Sequence, residues 1–440
     1  QMMGNLGRGR TDSISQLVTQ ANTGRPSVWD RALESSLVEL DTSEDPDQVL
    51  NVLALKSSAI SEALLNAYDL EQLGGLLSAL VDRYQGTTFT ADEFHALAAE
   101  RGMDLTDLLG NWLDEPGLPG FLISEVKTQR LQDTDTGRPQ YQTTLHVRNG
   151  EPTPGLFRIE YVWGTRTKDE AVWTEDQTKP IRLKGHVAVE IGIVTASPLL
   201  NATFHPYLAL NRRVIPLLGG DRMKRAKKRG VDSSERVDAK PFNGVRSSTW
   251  HPDQDLQPGT LVVDDLDQRF QFHNANEVQS FDNPFVPFRV DMDQGIPAYQ
   301  PFMGTPSWWA RNSDTREAVG RYRKTMAMKG AGTGESWVAF DTDIPREGRW
   351  RLEYHLPERF NKWMRWGTYD IQLAIDGSTQ DIEFDSGAAQ SGWNRLGDFD
   401  LSEGNVQLRV SDKTSGSIVI ADAIRWRPLD DAEVLTARAD

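Results

Sequence analysis

The sequence predicts a multidomain chain of α plus all-β class, in which a helical bundle segment precedes two β-sandwich domains. Three observations predict it. Apolar residues recur at three- and four-residue spacing as far as residue 114. Pro116-Gly117-Leu118-Pro119-Gly120 then stops helical structure. Beyond it, two long stretches carry short alternating or β-branched runs between turn signals. A length of 440 residues fits roughly three domains.

Residues 1–27 are rich in Gly, Ser, Thr, Asn and Gln and are expected to form a flexible segment with one weak helix over 13–20. Over 28–116, Leu33, Leu37 and Leu40, then Leu50, Leu53, Leu64 and Leu65, then Leu70 through Val81 mark helical faces. Thr90-Ala91-Asp92-Glu93 is a capping box, with the Thr90 side chain able to bond the Glu93 amide. Gly102 suits the left-handed position that ends that helix. Four or five helices are expected.

Over 117–218 the runs 121–132, 141–147, 156–162, 167–174, 180–183 and 187–194 read as strands. Asp135-Thr136-Gly137 and Asn149-Gly150 are turn signals between them. Six or seven strands fit an immunoglobulin-like sandwich. Residues 219–256 read as a basic linker, with six positive charges in the eight positions 222–229. A solvated loop is the simpler reading of that run, and contact with an anionic membrane surface the sharper one. Strand signals return over 257–430, at 261–263, 337–340, 348–356, 368–375, 380–384, 405–410 and 417–426. Residues 431–440 form an acidic tail.

Composition narrows the function. A net charge of −16 argues against a nucleic-acid footprint over the whole chain. Zero cysteines exclude disulfides, thiolate zinc sites, iron–sulfur clusters and a cysteine nucleophile. None of the seven histidines precedes a glutamate, so H-E-x-x-H is absent; G-x-S-x-G and the P-loop pattern are absent too. Gly330-Ala331-Gly332-Thr333-Gly334 leads into a strand pattern rather than a helix, which suits a loop and not a phosphate cradle. Asp264, Asp265, Asp267, Asp291 and Asp293 have the chemistry for calcium, with solvated turn acids as the simpler reading. Eight of the 13 tryptophans lie between Trp308 and Trp426. Strand tryptophans are expected in the core. Trp308, Trp309, Trp363 and Trp366, with Arg365 between the last two, are the candidate binding residues, because loop aromatics stack on sugars or seat in a partner's pocket.

Two family resemblances follow from motifs. Val52-Leu53-Ala54-Leu55-Lys56-Ser57-Ser58, Leu80-Val81-Asp82-Arg83-Tyr84, Phe89-Thr90-Ala91-Asp92-Glu93-Phe94, Gly102-Met103-Asp104-Leu105 and Trp112-Leu113-Asp114-Glu115-Pro116-Gly117-Leu118-Pro119-Gly120 resemble the C-terminal helical end of aminopeptidase N-like gluzincin peptidases. The resemblance implies zinc-assisted peptide hydrolysis in an intact protein, with Tyr84, Trp112 and Glu115 lining its cavity. The family's zinc helix lies upstream of the matched region, so no catalytic or metal residue, and no zinc, is expected in this chain. Leu261-Val262-Val263-Asp264-Asp265-Leu266-Asp267, Gly348-Arg349-Trp350-Arg351-Leu352-Glu353-Tyr354-His355-Leu356-Pro357, Ser391-Gly392-Trp393-Asn394-Arg395-Leu396-Gly397-Asp398-Phe399 and Ile420-Ala421-Asp422-Ala423-Ile424-Arg425-Trp426 resemble golvesin C-terminal-like domains. Those are β-sandwiches with a suspected glycan- or protein-binding role, and Asp264 and Asp422 are expected to make strand-end hydrogen bonds.

The preferred reading is thus the non-catalytic C-terminal portion of a bacterial zinc metallopeptidase, which shapes the substrate cavity and docks the enzyme. Its partner would be an upstream catalytic domain or a separate protein. The alternative is a freestanding glycan- or protein-binding module of the cell envelope. A periplasmic or extracellular site is expected, although the chain has neither a signal pattern nor 18 consecutive apolar residues.

Overall fold

A computed structural model describes residues 36–41, 43, 46–109, 117–166, 171–212, 214–218, 236–275, 296, 298, 305–312, 318–359 and 364–429. One compact unit extends to Pro252 and a second starts at Asp253.

The first unit opens with four helices among the described residues: α1 (Pro46–Ala67), α2 (Leu70–Tyr84), α3 (Ala91–Glu100) and α4 (Leu105–Leu109). Two capping boxes set their starts. Asp69 accepts the Gln72 amide at 2.8 Å and Gln72 accepts the Asp69 amide at 3.2 Å. Thr90 and Glu93 repeat the exchange at 3.2 and 2.7 Å. Each cap satisfies amides that a helix start leaves unpaired, worth about 1 kcal/mol. Gly102 takes φ 73° after α3, as its position predicts. The helical core is small: Leu76, Ala79, Leu97, Ala98, Met103 and Leu105 are buried together. Leu50, Leu65, Leu70, Leu77 and Val81 are exposed. The expected bundle is therefore only partial. Apolar residues occupy two faces of α2, and only the face carrying Leu73, Leu76 and Leu80 packs on its neighbours.

The sandwich of this unit holds β1 (Phe121–Ile123), β2 (Lys127–Leu131), β3 (Tyr141–Asn149), β4 (Gly155–Arg166), β5 (Ala171–Gln177), β6 (Ile181–Leu183), β7 (Ala188–Thr195), β8 (Leu199–Pro206), β9 (Ile215–Leu218), β10 (Arg236–Val237) and β11 (Gly244–Ser248). One sheet runs β10-β2-β3-β7-β11 with β1 also on β3; the other runs β5-β4-β8-β9 with β6 also on β4. Between them Phe121, Phe157 and Phe204 pack with ring centroids 4.9–5.5 Å apart. Asn211 fastens the first strand by accepting the Phe121 amide and donating to its carbonyl, both at 2.9 Å.

Two expectations need correction here. Strands β8 and β9 were not foreseen, and residues 236–248 are not linker. β10 pairs with β2 in parallel and β11 pairs antiparallel with β7. The reason lies in side-chain clamps. The Gln142 amide bonds both backbone polar groups of Phe242 at 2.7 Å, and Arg246 reaches Glu190 at 2.7 Å. Gly192 makes room for Phe242, whose ring would sit 2.3 Å from any added Cβ. The basic run 222–229 lies outside the described residues.

The second unit contains β12 (Leu261–Asp264), β13 (Phe270–His273), β14 (Ala310–Asn312), β15 (Met326–Gly330), β16 (Trp337–Ile344), β17 (Gly348–Leu356), β18 (Thr368–Ile375), β19 (Ser378–Asp385), β20 (Gly392–Leu401), β21 (Gly404–Thr414), β22 (Ile418–Ala421) and β23 (Ala423–Pro428). They form sheets β12-β23-β17-β20, β13-β16-β21-β18-β19 and β14-β15-β22. Alternation along β17 sends Trp350, Leu352, Tyr354 and Leu356 into a core shared with Trp309, Phe340, Tyr369 and Trp426. Its opposite face carries Arg349, Arg351, Glu353 and His355. The two buried tyrosines keep their hydroxyls paired: Tyr354 donates to the Ile420 carbonyl at 2.6 Å, and Tyr369 accepts the Ile420 amide at 3.2 Å. Leu356 pairs with Gly392, Thr368 with Asp385 and Tyr369 with Thr414, so segments 357–359, 364–367, 386–391 and 415–417 share one end of the sandwich.

Candidate functional site

The densest polar cluster of the second unit is built where β12 ends and where the chain passes from β22 to β23. Asp265 is wholly buried. It accepts from Arg311 Nε at 3.0 Å and from the Thr325 hydroxyl at 2.7 Å, and its backbone carbonyl bonds the same guanidinium. That guanidinium lies 4.4 Å from the Phe272 ring centre. Burial pushes the Asp265 carboxyl up to about 8 against the pull of Arg311. Asp422, also wholly buried, accepts the Val319 amide at 3.0 Å and contacts His355 Nδ1 at 2.6 Å. Burial raises the Asp422 carboxyl well above its ordinary range. Asp264 is raised by burial as well, while it caps its own turn through the Leu266 amide at 2.9 Å. Buried carboxylates are costly unless bonded, and here each one ties a loop to a strand. The network's chemistry is that of a rigid scaffold.

On the outer side of the same region sits Trp393, half-buried at the start of β20 and opposite His355 of β17. The His355 ring meets it edge-on at 4.9 Å, and the Arg425 guanidinium lies over it at 4.5 Å. Arg425 is itself held by Glu353 at 2.6 Å. An indole fixed by an edge contact and a cation–π contact loses little freedom when a ligand arrives.

The residues singled out in the sequence scatter. Trp309 is fully buried and belongs to the core, because its backbone amide is held by Asn274 at 2.7 Å and the next residue enters β14. Trp308 is half-buried. Trp366 packs part of its ring on the core, with the Arg359 guanidinium 5.3 Å from its centre; Arg365 beside it is exposed. Trp363 lies outside the described residues. Tyr84 is half-buried in the helical core, 5.5 Å from Phe89 between ring centres, while Trp112 and Glu115 also lie outside the described residues. A cavity in the first unit is lined by Lys56, Ile60, Leu109, Leu156, Arg182 and Tyr207 among others, and Tyr84 is not one of its lining residues. Asp265 corrects the expectation of solvated turn acids, and Asp267 is engaged with Arg269 at 2.7 Å. Among the described residues no group of three or more His, Asp or Glu side chains could hold a metal, so the donors for the resemblance's zinc are not found there.

Sequence reasoning placed Trp393 with the core tryptophans and did not single out His355. The available signal was the polar half of the alternation, Arg349, Arg351, Glu353 and His355, on a strand whose other half is wholly apolar. Asp422 makes the strand-end hydrogen bonds expected of it.

Residues 300–427 match the Golvesin C-terminal domain. No curated protein matches the chain by sequence. Among solved structures the chain is similar to a Paenibacillus xanthan lyase (TM-score 0.28, 11% identity), covering 71% of this chain and 26% of the lyase. It is also similar to a Clostridium thermocellum family 35 carbohydrate binding module, with TM-score 0.21, 19% identity and coverage of 28% and 90%. A Listeria monocytogenes cycloalternan-forming enzyme aligns at TM-score 0.22 and 10% identity, over 69% of this chain and 22% of that one. Likenesses this distant transfer no function, and none of them points to an aminopeptidase N-like gluzincin. What stands is a predominantly β chain whose C-terminal sandwich carries a golvesin C-terminal domain.

Proposed function

We propose that the chain is a glycan-binding module, acting outside the cytoplasm or at the cell envelope, with its contact surface on the C-terminal sandwich. The observation that carries this reading is the geometry of Trp393, whose ring is held between Arg425 and His355 on the outer face of a rigid sheet. Aromatic side chains pre-oriented in this way stack on the apolar faces of pyranose rings. Trp366 and exposed Arg365, on the loop that leads into β18, extend the proposed contact toward the end of the sandwich. The match of residues 300–427 to the golvesin C-terminal domain, a resemblance that implies a suspected glycan- or protein-binding role, supports the same reading.

The peptidase-tail reading keeps only its helical motifs between residues 52 and 120. Within it, a docking function for the C-terminal sandwich remains the same proposal. The deciding experiment is native affinity electrophoresis of the full chain through gels containing a panel of plant, fungal and bacterial polysaccharides. Trp393→Ala should abolish retardation on whichever glycan slows the native chain, lowering affinity at least about tenfold as expected for a central aromatic anchor. No retardation on any glycan overturns the reading.

A further inference from the structure

The sequence holds two Asn-Gly pairs, Asn149-Gly150 and Asn243-Gly244. An asparagine before a glycine carries its own chemistry, because the glycine nitrogen can reach the side-chain carbonyl carbon without a Cβ in the way. The fold treats the two pairs in opposite ways.

Asn149, the last residue of β3, is wholly buried. Its Oδ1 accepts the Gly120 amide at 3.2 Å and the Glu151 amide at 3.1 Å, and its Nδ2 donates to the Thr153 carbonyl at 2.8 Å. The nitrogen that would attack is tied as well, since the Gly150 amide donates to the Gly120 carbonyl at 2.8 Å. Both reacting groups are fixed, and the side chain is shut off from water.

Asn243 is exposed and stands between two anchors. Before it, Gln142 clamps both backbone polar groups of Phe242 at 2.7 Å. After it, Gly244 forms the end rung of the β7–β11 ladder, opposite Gly192. Gly244 takes φ 131°, where any side chain is strained, and open space surrounds the place of its missing Cβ. The fold thus demands at 244 the residue type that leaves the preceding asparagine reactive. Asn243 helps to hold the strand, because its Oδ1 accepts the Val194 amide at 3.2 Å. The end of a strand opens more readily than a buried turn, which frees the Gly244 nitrogen well before that of Gly150.

We infer that Asn243-Gly244 is a self-modification site whose conversion loosens β11 with time. The Gly244 nitrogen bonds to the Asn243 Cγ, the Cγ–Nδ2 bond breaks, and ammonia leaves with the proton that the nitrogen gave up. The product is a five-membered succinimide. Water then adds to either ring carbonyl and breaks its bond to the nitrogen, which regains a proton, leaving aspartate or isoaspartate. Water is the one co-reactant, and no electrons change hands. In isoaspartate the former side-chain methylene lies in the main chain between the Phe242 clamp and β11. The longer link no longer meets both anchors in the original register.

The test is peptide mass spectrometry of the full chain aged at pH 6.5 and pH 8.5, folded and in urea with unfolding confirmed by fluorescence. In the folded chain the exchange of –NH2 for –OH should appear at Asn243 at least about tenfold faster than at Asn149, as expected when one site opens locally and the other only with the whole unit. It should run faster at the higher pH, which deprotonates more of the attacking nitrogen. In urea the two sites should react at similar rates. Hydrogen exchange of the β11 peptide should rise as the unaltered chain ages and stay level as Asn243→Gln ages, since glutamine would have to close a larger ring. Conversion of Asn149 as fast as Asn243, or none at Asn243 in the time that urea converts it, overturns the site. A difference that persists in urea overturns the argument from the fold. Conversion at Asn243 with unchanged exchange in β11 overturns the loosening.

Discussion

Each unit contains an imidazole set against a carboxylate, and the two pairs behave in opposite ways. In the first unit, His205 lies 3.0 Å from Glu160, with Arg158 at 2.8 Å on the same carboxylate and Glu62 of α1 joined to Arg158 at 2.9 Å. The Glu160 side chain remains 30% exposed, and the His205 imidazole 3.0 Å away holds its carboxyl down at about 2. In the second unit, His355 lies 2.6 Å from Asp422, which has no exposure, and burial drives that carboxyl upward. Pairing alone therefore does not set the direction of a carboxyl's shift. Residual contact with water lets the pull of the neighbouring imidazole dominate; removing water lets the cost of a buried charge dominate.

The contrast is broken most severely at the buried ion pair of the second unit. At pH 9, where the Asp265 carboxyl is ionised, Arg311→Met leaves it buried without its guanidinium, an expected loss of about 3–5 kcal/mol from that unit. Denaturant unfolding followed by tryptophan fluorescence reads it, because the fully buried Trp309, Trp350 and Trp426 all lie there. A loss below about 1 kcal/mol would mean that Thr325 and the surrounding backbone alone satisfy Asp265.

The pH dependence sharpens the comparison next. Asp265, near 8, and Asp422 have folded values raised above the ordinary carboxyl near 4, so the folded second unit binds protons that the unfolded chain has released. Its stability is greatest at low pH in this respect and falls as pH rises from about 4 through 8. Glu160 has the opposite sign: its contribution is complete above the ordinary 4.5 and is lost as pH falls toward about 2. Scanning calorimetry should show the C-terminal transition at least about 3 °C higher at pH 5 than at pH 9, the shift that roughly 1 kcal/mol produces. The N-terminal transition should fall selectively below pH 4. Parallel movement of both transitions would refute the opposition.

The smallest effect belongs to the half-exposed pair. Glu160→Gln should cost the first unit about 1 kcal/mol or less at pH 7, since solvent screens what the ion pairs gain. The same variant should remove that unit's added sensitivity below pH 4, which calorimetry at pH 3 and pH 7 tests.

Much of the architecture was legible because local rules carry it. Thr90, Glu93 and Gly102 mark helix ends through bonds a few residues long, and the alternation of β17 separates core from surface residue by residue. Residues 236–248 were not legible, because β10 and β11 owe their pairing to Gln142, Glu190 and the gap at Gly192, all more than forty positions away along the chain. The exposed row Leu70, Leu77 and Val81 shows the converse limit: periodicity reports an apolar face but not whether anything covers it. At the candidate site, the golvesin-like motifs marked Asp264 and Asp422, while Asp265 stood only among acids with calcium chemistry, and the burial of all three was hidden. Burial depends on Arg311, Val319 and Thr325, which arrive from separate strands and loops.

The return of β10 and β11 to the sheet of β2 and β7 has a consequence for cleavage. A protease that cuts once between Leu218 and Arg236, where the arginines and lysines of 222–229 invite trypsin, leaves the two products sewn together by backbone hydrogen bonds and by the clamp of Gln142 on Phe242. Such a nicked chain would migrate as one species under native conditions and as two in detergent, so a fragment pattern on a denaturing gel would not by itself mean that the halves had parted.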